Sequence, residues 1–310
     1  MNLILIAGLK SGREIAKYFL KDKNTNLLKV YVLKDELGTS IPDFVKFDDI
    51  IPGDKLKKVD NINNYAEEIK NMKPDLIVVV GWSQLLSEDI IKCAKIGAIG
   101  FHPSKLPKDR GRSTLAWQIV EGYEKGCVSM FWLDAGIDSG DIIGQMEYEI
   151  TYYDTIRDVL DKVYSLCVDL IKTYYPMISK GNIIRIKQDE SKATYRRKRG
   201  KEDSIINWNR TSREIYNLIR AITYPYPGAI TYYNGTEITV LEAYEYDEPI
   251  YYEDIKPGTI LEIKYNKGVL VKAKDKAILL KKIRINDEYI EVHDMQKIFN
   301  VGCNFDWKGE

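Results

Sequence analysis

Asn2-Leu3-Ile4-Leu5-Ile6-Ala7-Gly8 opens the chain as an unbroken apolar run closed by a glycine, and apolar residues at helical spacing follow over residues 12–20. A run without polar alternation fits a strand buried on both faces, and a strand leading directly into a helix begins a layered α/β domain. The pattern then repeats. Apolar runs at 27–33, 75–80 and 98–101 predict three further strands, and residues 64–72 predict a helix between the strands at 27–33 and 75–80. Strands alternating with helices imply a Rossmann-like, mainly parallel sheet, where ligands sit beyond the carboxyl ends of the strands. The stretches after Val80 and Phe101 fall at that edge.

Strands are expected over 128–133 and up to Ile150, followed by a long amphipathic helix over 155–178 whose Ile156, Leu160, Val163, Leu166, Leu170 and Ile171 share a face. A charged stretch from 188 to 203, containing Tyr195-Arg196-Arg197-Lys198-Arg199, then interrupts the hydrophobic pattern. Beyond it come a short helix over 212–222 and strand-like runs at 229–233, 236–243, 259–265, 268–274 and 277–283. Tyr233-Asn234-Gly235 and Asn266-Lys267-Gly268 mark hairpin turns among them. The expected organisation is an α/β domain over 1–187, a linker over 188–203, and a small, mostly-β domain over 204–310 of the partly open barrel (OB-like) type.

Composition narrows the functional classes. With 310 residues, 45% of them hydrophobic and 30% charged, the chain can build a substantial core and does not read as disordered. Lys plus Arg and Asp plus Glu each total 46, so the molecule lacks the cationic excess of a protein held on nucleic acid by phosphate contacts. Cys93, Cys127, Cys167 and Cys303 are far apart, with no metal-ligand spacing and no secretory segment ahead of them. No metal is expected, and the thiols read as idle groups of a reducing compartment. No apolar run approaches the roughly 20 residues that span a bilayer, so a cytoplasmic protein without a membrane partner is expected.

Two segments carry chemistry. His102, one of two histidines, ends a predicted strand inside Gly100-Phe101-His102-Pro103-Ser104-Lys105-Leu106-Pro107-Lys108-Asp109-Arg110-Gly111-Arg112, where two prolines stiffen the backbone. Leu133-Asp134-Ala135-Gly136-Ile137-Asp138-Ser139-Gly140-Asp141 follows an apolar strand and lacks the terminal Glu of a calcium loop. Gly8-Leu9-Lys10-Ser11-Gly12 lacks the spacing of a phosphate-cradling loop.

Taken together, His102-Pro103-Ser104, Leu106-Pro107, Arg110-Gly111 and Asp134-x-Gly136-x-Asp138-x-Gly140-Asp141-Ile142 resemble the formyltransferase superfamily that uses N10-formyltetrahydrofolate. The resemblance implies His102 as the catalytic base and Asp138 as its carboxylate partner. It implies that the folate lies against Trp82, Ser83, Gln84, Leu85 and Leu86 and against Ala135, Gly136, Ile137 and Asp138. An imidazole with an ordinary pKa near 6.5 suits the proton that must leave an attacking amine. Ala193-Thr194-Tyr195, Ile206-Asn207-Trp208-Asn209 and Tyr224-Pro225-Tyr226-Pro227-Gly228 are similar to the carboxy-terminal domain of two-domain members. They lie closer to the branch acting on nucleotide-linked amino sugars than to the methionyl-tRNA branch.

A nucleotide-sugar substrate would meet Lys10, Ser104, Arg110, Arg112, Trp208 and Tyr224, although the basic groups read equally as solvated charges and Trp208 as core. The runner-up is methionyl-tRNA formyltransferase, with tRNA as partner. A third reading, a catalytically impaired folate- or sugar-binding relative, follows from Gly100, which stands where the superfamily has an asparagine near the formyl oxygen.

Overall fold

The computed structural model describes residues 1–39, 41–247 and 254–306. It contains two compact units, one formed by residues 1–114, 125–149 and 160–196 and the other by 115–124, 150–159 and 197–310. The compact units are therefore drawn along other lines than 1–187, 188–203 and 204–310.

In the first unit β1 (Asn2–Ala7) leads into α1 (Leu9–Lys21) and β2 (Asn26–Leu33). Next come α2 (Asp35–Gly38), β3 (Leu56–Val59), α3 (Ala66–Asn71) and β4 (Leu76–Val80). After α4 (Glu88–Cys93) and β5 (Gly97–His102) come β6 (Arg110–Gly111), α5 (Thr114–Val120), β7 (Lys125–Trp132), β8 (Ile142–Glu149), α6 (Ile156–Ser179) and β9 (Tyr195–Arg196), with α5 after Thr114 and the first turn of α6 counted in the second unit. The main sheet has the order β3-β2-β1-β4-β5-β7-β8. Its first five strands are parallel, while β7 runs antiparallel to both β5 and β8.

This order follows from burial. Every residue of β4 and residues 3–7 of β1 are buried, as a central parallel strand covered on both faces requires. The chain winds outward from β1 to β3 and returns to β4 on the other side of β1, which makes the carboxyl ends of β1 and β4 the switch point of the sheet. The backbones come close there. A Cβ on Gly8 would lie 2.3 Å from the Gly81 carbonyl oxygen, and Gly81 has φ +61, so only glycines fit this crossing.

The expected linker is not one. Residues 194–196 run alongside 109–112, with β9 pairing parallel to β6 and with main-chain bonds Arg110 N to Thr194 O (2.9 Å) and Arg112 N to Arg196 O (3.0 Å). Charge density suggested a solvated segment, whereas these charges are paired: Arg196 Nε donates to Asp109 Oδ1 at 2.7 Å. After Arg196 the chain passes to the second unit for the last time, having contributed 115–124 and 150–159 to it earlier.

That unit holds α7 (Ser212–Ile222), β10 (Ala229–Tyr233), β11 (Thr236–Tyr246), β12 (Ile260–Lys264), β13 (Gly268–Lys272), β14 (Ala277–Ile285), β15 (Glu288–Ile290) and α8 (Met295–Ile298). The helix α7 starts where Thr211 and Glu214 form a reciprocal capping box, satisfying two N–H groups that the first turn leaves unpaired. The sheet is antiparallel in the order β10-β11-β14-β13-β12, with β15 on β14. Bridges Thr259 to Asn304 and Tyr232 to Asp306 carry the last described segment across both edges of the sheet, so the strands curl toward a partly closed barrel, as expected.

All four cysteines are free thiols. Burial pushes Cys127 up to about 11 and Cys167 up to about 12, which keeps both protonated and unreactive near neutral pH. Among the described residues, no helix is long and apolar enough to cross a membrane.

Candidate active site

His102 is the last residue of β5 and pairs in register with Ser129 on β7. Its ring is 5% exposed. Nε2 lies 2.7 Å from the Asp109 carbonyl oxygen, and because a carbonyl only accepts, this nitrogen carries the proton in the neutral ring. Nδ1 is then the basic nitrogen, and it faces Asp138 Oδ2 at 3.3 Å. The resemblance paired these two residues, and the fold brings them together.

The loop that follows His102 is held from below. Ser104 Oγ donates to Lys108 O at 2.6 Å, and Ser129 Oγ donates to Ser104 O at 2.6 Å while accepting from Leu106 N at 3.2 Å. Gln145 Nε2 adds donations to Ser129 Oγ (2.8 Å) and Leu106 O (3.1 Å). These bonds pin both ends of the loop, so the Asp109 carbonyl is fixed against the ring. Ser104 is fully buried in this network and is corrected from substrate contact to loop anchor.

Asp138 projects from the turn after β7. Asp134 Oδ1 accepts from Gly136 N (3.0 Å) and Ser139 Oγ (2.8 Å), closing an Asx turn. Asp138 itself has φ +51, and its Oδ2 accepts from Gly111 N at 2.8 Å, so a backbone donor from β6 aims the carboxylate at the ring. Ala135, Gly136 and Ile137 are exposed. Behind this turn lies a cavity of about 300 Å3, whose lining includes Ile91, Ala94, Ala98, Leu133, Asp134 and Ala135.

The Trp82 to Leu86 stretch leaves the end of β4 and is anchored by polar side chains. Gln84 Nε2 donates to Asp60 O (2.6 Å), its Oε1 accepts from Ile62 N (3.1 Å), and Asn63 Nδ2 donates to Leu85 O (3.0 Å). Gln84 therefore spends its side chain on the loop. Leu85 is 82% exposed, Ser83 is exposed too, and Trp82 and Leu86 pack on the cluster that contains Ile90, Ala94 and Ala98. The Trp82 indole nitrogen is buried with no hydrogen-bond partner among the described residues. Asn63 has no signal in the sequence that marks it as the anchor of a segment over twenty positions away.

Two more expected substrate contacts are corrected. Arg110 is fully buried, and its guanidinium donates to Glu190 (2.6 and 2.9 Å), Gln188 Oε1 (2.7 and 3.2 Å) and the Tyr195 hydroxyl (2.9 Å), so its donors serve the protein itself. Trp208 is 2% exposed in the second unit, donates to Thr231 Oγ1 at 3.0 Å and stacks on Phe305. The core reading of that tryptophan holds. Lys10 stands half-exposed beside Asp161 at 3.5 Å, Arg112 is exposed without an ion pair among the described residues, and Tyr224 is exposed.

At Gly100 a Cβ would lie 2.6 Å from Leu133 Cδ2 and 3.4 Å from Phe131 Cε1. An apolar side chain thus occupies the direction in which a side chain at position 100 would extend.

Comparison with known proteins identifies the family. Residues 43–171 match the family described as Formyl transferase, and residues 198–299 match the one described as Formyl transferase, C-terminal domain. The methionyl-tRNA formyltransferase of Fusobacterium nucleatum is 35% identical over 218 residues, covering 70% of this chain and 69% of that protein. The bifunctional polymyxin resistance protein ArnA of Wigglesworthia glossinidia brevipalpis is 32% identical over 76% of this chain, which spans only 35% of that longer protein. Among solved structures, the N-formyltransferase of Helicobacter canadensis, in complex with folinic acid and dTDP-3-aminofucose, shares the fold with a TM-score of 0.68 at 20% identity, covering 90% of this chain and 98% of that one. With a buried His102–Asp138 pair at the sheet edge, and with matches of this identity and coverage, the chain belongs to the formyltransferase family.

Proposed function

We propose that the protein transfers the formyl group of N10-formyltetrahydrofolate to the amine of a nucleotide-linked amino sugar. The observation that carries the reaction is the buried His102, with one nitrogen capped by the Asp109 carbonyl and the other turned toward Asp138. As the acceptor amine bonds to the formyl carbon, His102 takes its proton at Nδ1. Asp138 stabilises the imidazolium so formed, and the bond from the formyl carbon to the folate N10 breaks as that nitrogen is protonated in turn. The positive charge of the imidazolium also offsets charge that develops on the formyl oxygen, where position 100 has no side-chain donor to offer.

The residues present fit a pterin. The cavity beside Asp134 and Ala135 is apolar on the side of Ile91, Ala94, Ala98 and Leu133, and the turn offers main-chain groups at its rim. The unpartnered Trp82 indole N–H is a donor in the same region of the fold, packed on the same cluster.

For the acceptor, the equal totals of 46 basic and 46 acidic residues favour a small substrate over a tRNA surface. Similarity to the Helicobacter canadensis enzyme, solved with dTDP-3-aminofucose, points the same way, with Arg112 and Lys10 as the exposed candidates for nucleotide contact in the first unit. Methionyl-tRNA is the second reading, favoured by the Fusobacterium nucleatum relative. Incubation with N10-formyltetrahydrofolate and a panel of nucleotide-linked amino sugars, alongside methionyl-tRNA, decides between them by which acceptor gains one formyl mass. Formylation of the tRNA alone would replace the sugar reading.

Position 100 distinguishes an active enzyme from an impaired one. Gly100→Asn is expected to leave the rate equal or lower, because the new amide meets Leu133, which also lines the cavity, and enters apolar surroundings. A poorly paired amide there should cost about 1–3 kcal/mol of stability, read as a lower midpoint in thermal denaturation. A large gain in formyl transfer would instead identify the wild-type chain as a weakened relative.

A further inference from the structure

We propose that Gln188 is a positioning residue for formyl transfer, holding the backbone on both sides of Ser139 so that the Asp138 carboxylate meets His102. The inference rests on the roles given to His102 and Asp138 above. Gln188 belongs to the stretch whose charge suggested a solvated linker, yet every polar atom of its side chain is used within the first unit. Its Nε2 donates to the carbonyl oxygens of Asp138 (2.8 Å) and Gly140 (2.7 Å), while its Oε1 accepts from Arg110 Nη2 (2.7 Å) and Nε (3.2 Å). A guanidinium only donates and carbonyls only accept, so the amide has one satisfactory orientation.

The need for such a clamp is local. Asp138 sits at φ +51, a conformation that costs free energy for a residue with a Cβ and persists only where the surroundings impose it. Gly111 N fixes its carboxylate, and Gln188 fixes its carbonyl, so the residue is held at both ends. Arg110 supplies the rigidity behind Gln188. Its remaining donors go to Glu190 and Tyr195, and its own main chain leads directly into Gly111. A line of hydrogen bonds therefore runs from Glu190 through Arg110 and Gln188 to Asp138, and a loss in its middle frees the carboxylate to swing away from Nδ1.

Two variants test this. Gln188→Glu keeps the length and an acceptor for Arg110 but has no N–H for the two carbonyls, and Gln188→Asn keeps the amide but is too short to reach both sides. Each is expected to lower kcat for formyl transfer by about 10- to 100-fold, as for a misplaced catalytic group, with the acceptor KM changed less than about threefold. A second readout does not depend on turnover. His102 and His293 are the only histidines, so the ring resonances of His102 can be assigned by nuclear magnetic resonance; they are expected to move in both variants, while those of His293 stay. Wild-type kcat in a folded variant, a change confined to KM, or unmoved His102 resonances would each overturn the proposal. If the wild-type chain formylates no acceptor, the functional reading fails, and the ring resonances still judge Gln188.

Discussion

His102→Asn is expected to lower formyl transfer by about 10^2- to 10^4-fold, the usual worth of a positioned general base. Asparagine ends short of the Nε2 position, so the Asp109 carbonyl loses its donor, while the bonds of Ser104, Ser129 and Gln145 still hold the loop. The basic nitrogen opposite Asp138 is lost as well. Folate affinity, measured by titration calorimetry with a non-reactive folate, should change little, because the proposed pterin cavity is lined by other residues. Steady-state rates with whichever acceptor the panel assay identifies are the decisive measurement. Transfer within a few-fold of wild type would remove His102 from the mechanism, and equal losses of binding and rate would make it a structural residue.

Gly140→Ala is expected to damage fold and catalysis together. A Cβ at this position would lie 1.8 Å from the Trp132 carbonyl oxygen, a main-chain atom at the end of β7 that no side-chain rotation can clear. The turn from 133 to 141 must therefore shift as a body. It carries Asp138, and the Gly140 carbonyl is itself one of the two that Gln188 grips. A displacement of about 1 Å at Asp138 is enough for a rate loss near 100-fold, and the backbone rearrangement should cost several kcal/mol, on the order of the largest single-residue effects. Thermal denaturation followed by circular dichroism and the transfer assay would both register it. A variant with the wild-type midpoint and rate would mean that the turn is more adaptable than its contacts indicate.

Much of this was legible in the residues. The apolar runs of β1, β2, β4 and β5 were read directly, because a strand buried on both faces writes its burial into consecutive positions. Hairpins at Asn234-Gly235 and near Gly268 were equally visible, since their turns need residues that accept left-handed backbone. Short elements such as β3, α4 and β6 left too few residues for a period to emerge. The pair His102 and Asp138 could be named from the motif, but the side chains that hold it could not. Arg110, Ser104 and Trp208 have the chemistry of ligand contacts, and only burial and satisfied hydrogen bonds separate a contact from a brace. Gln188 and Glu190 were hidden in a charged run because the partners that neutralise such a run lie far away in sequence.

That distance has a consequence for how the protein is made. Gln188 and Glu190 follow Arg110 by 78 and 80 residues, and Thr194 and Arg196 follow Asp109 by 85 and 87. At roughly 5–20 residues per second, the ribosome adds the later partners about 4–17 s after the earlier ones. During that interval the nascent chain can already pair β1 with β2 and β4, whose contacts are hydrophobic and close in sequence. Arg110 meanwhile waits without its carboxylate. The sheet thus matures before the edge that carries His102, and a chain released prematurely before residue 188 would hold Asp138 by the Gly111 N–H alone, without the Gln188 brace.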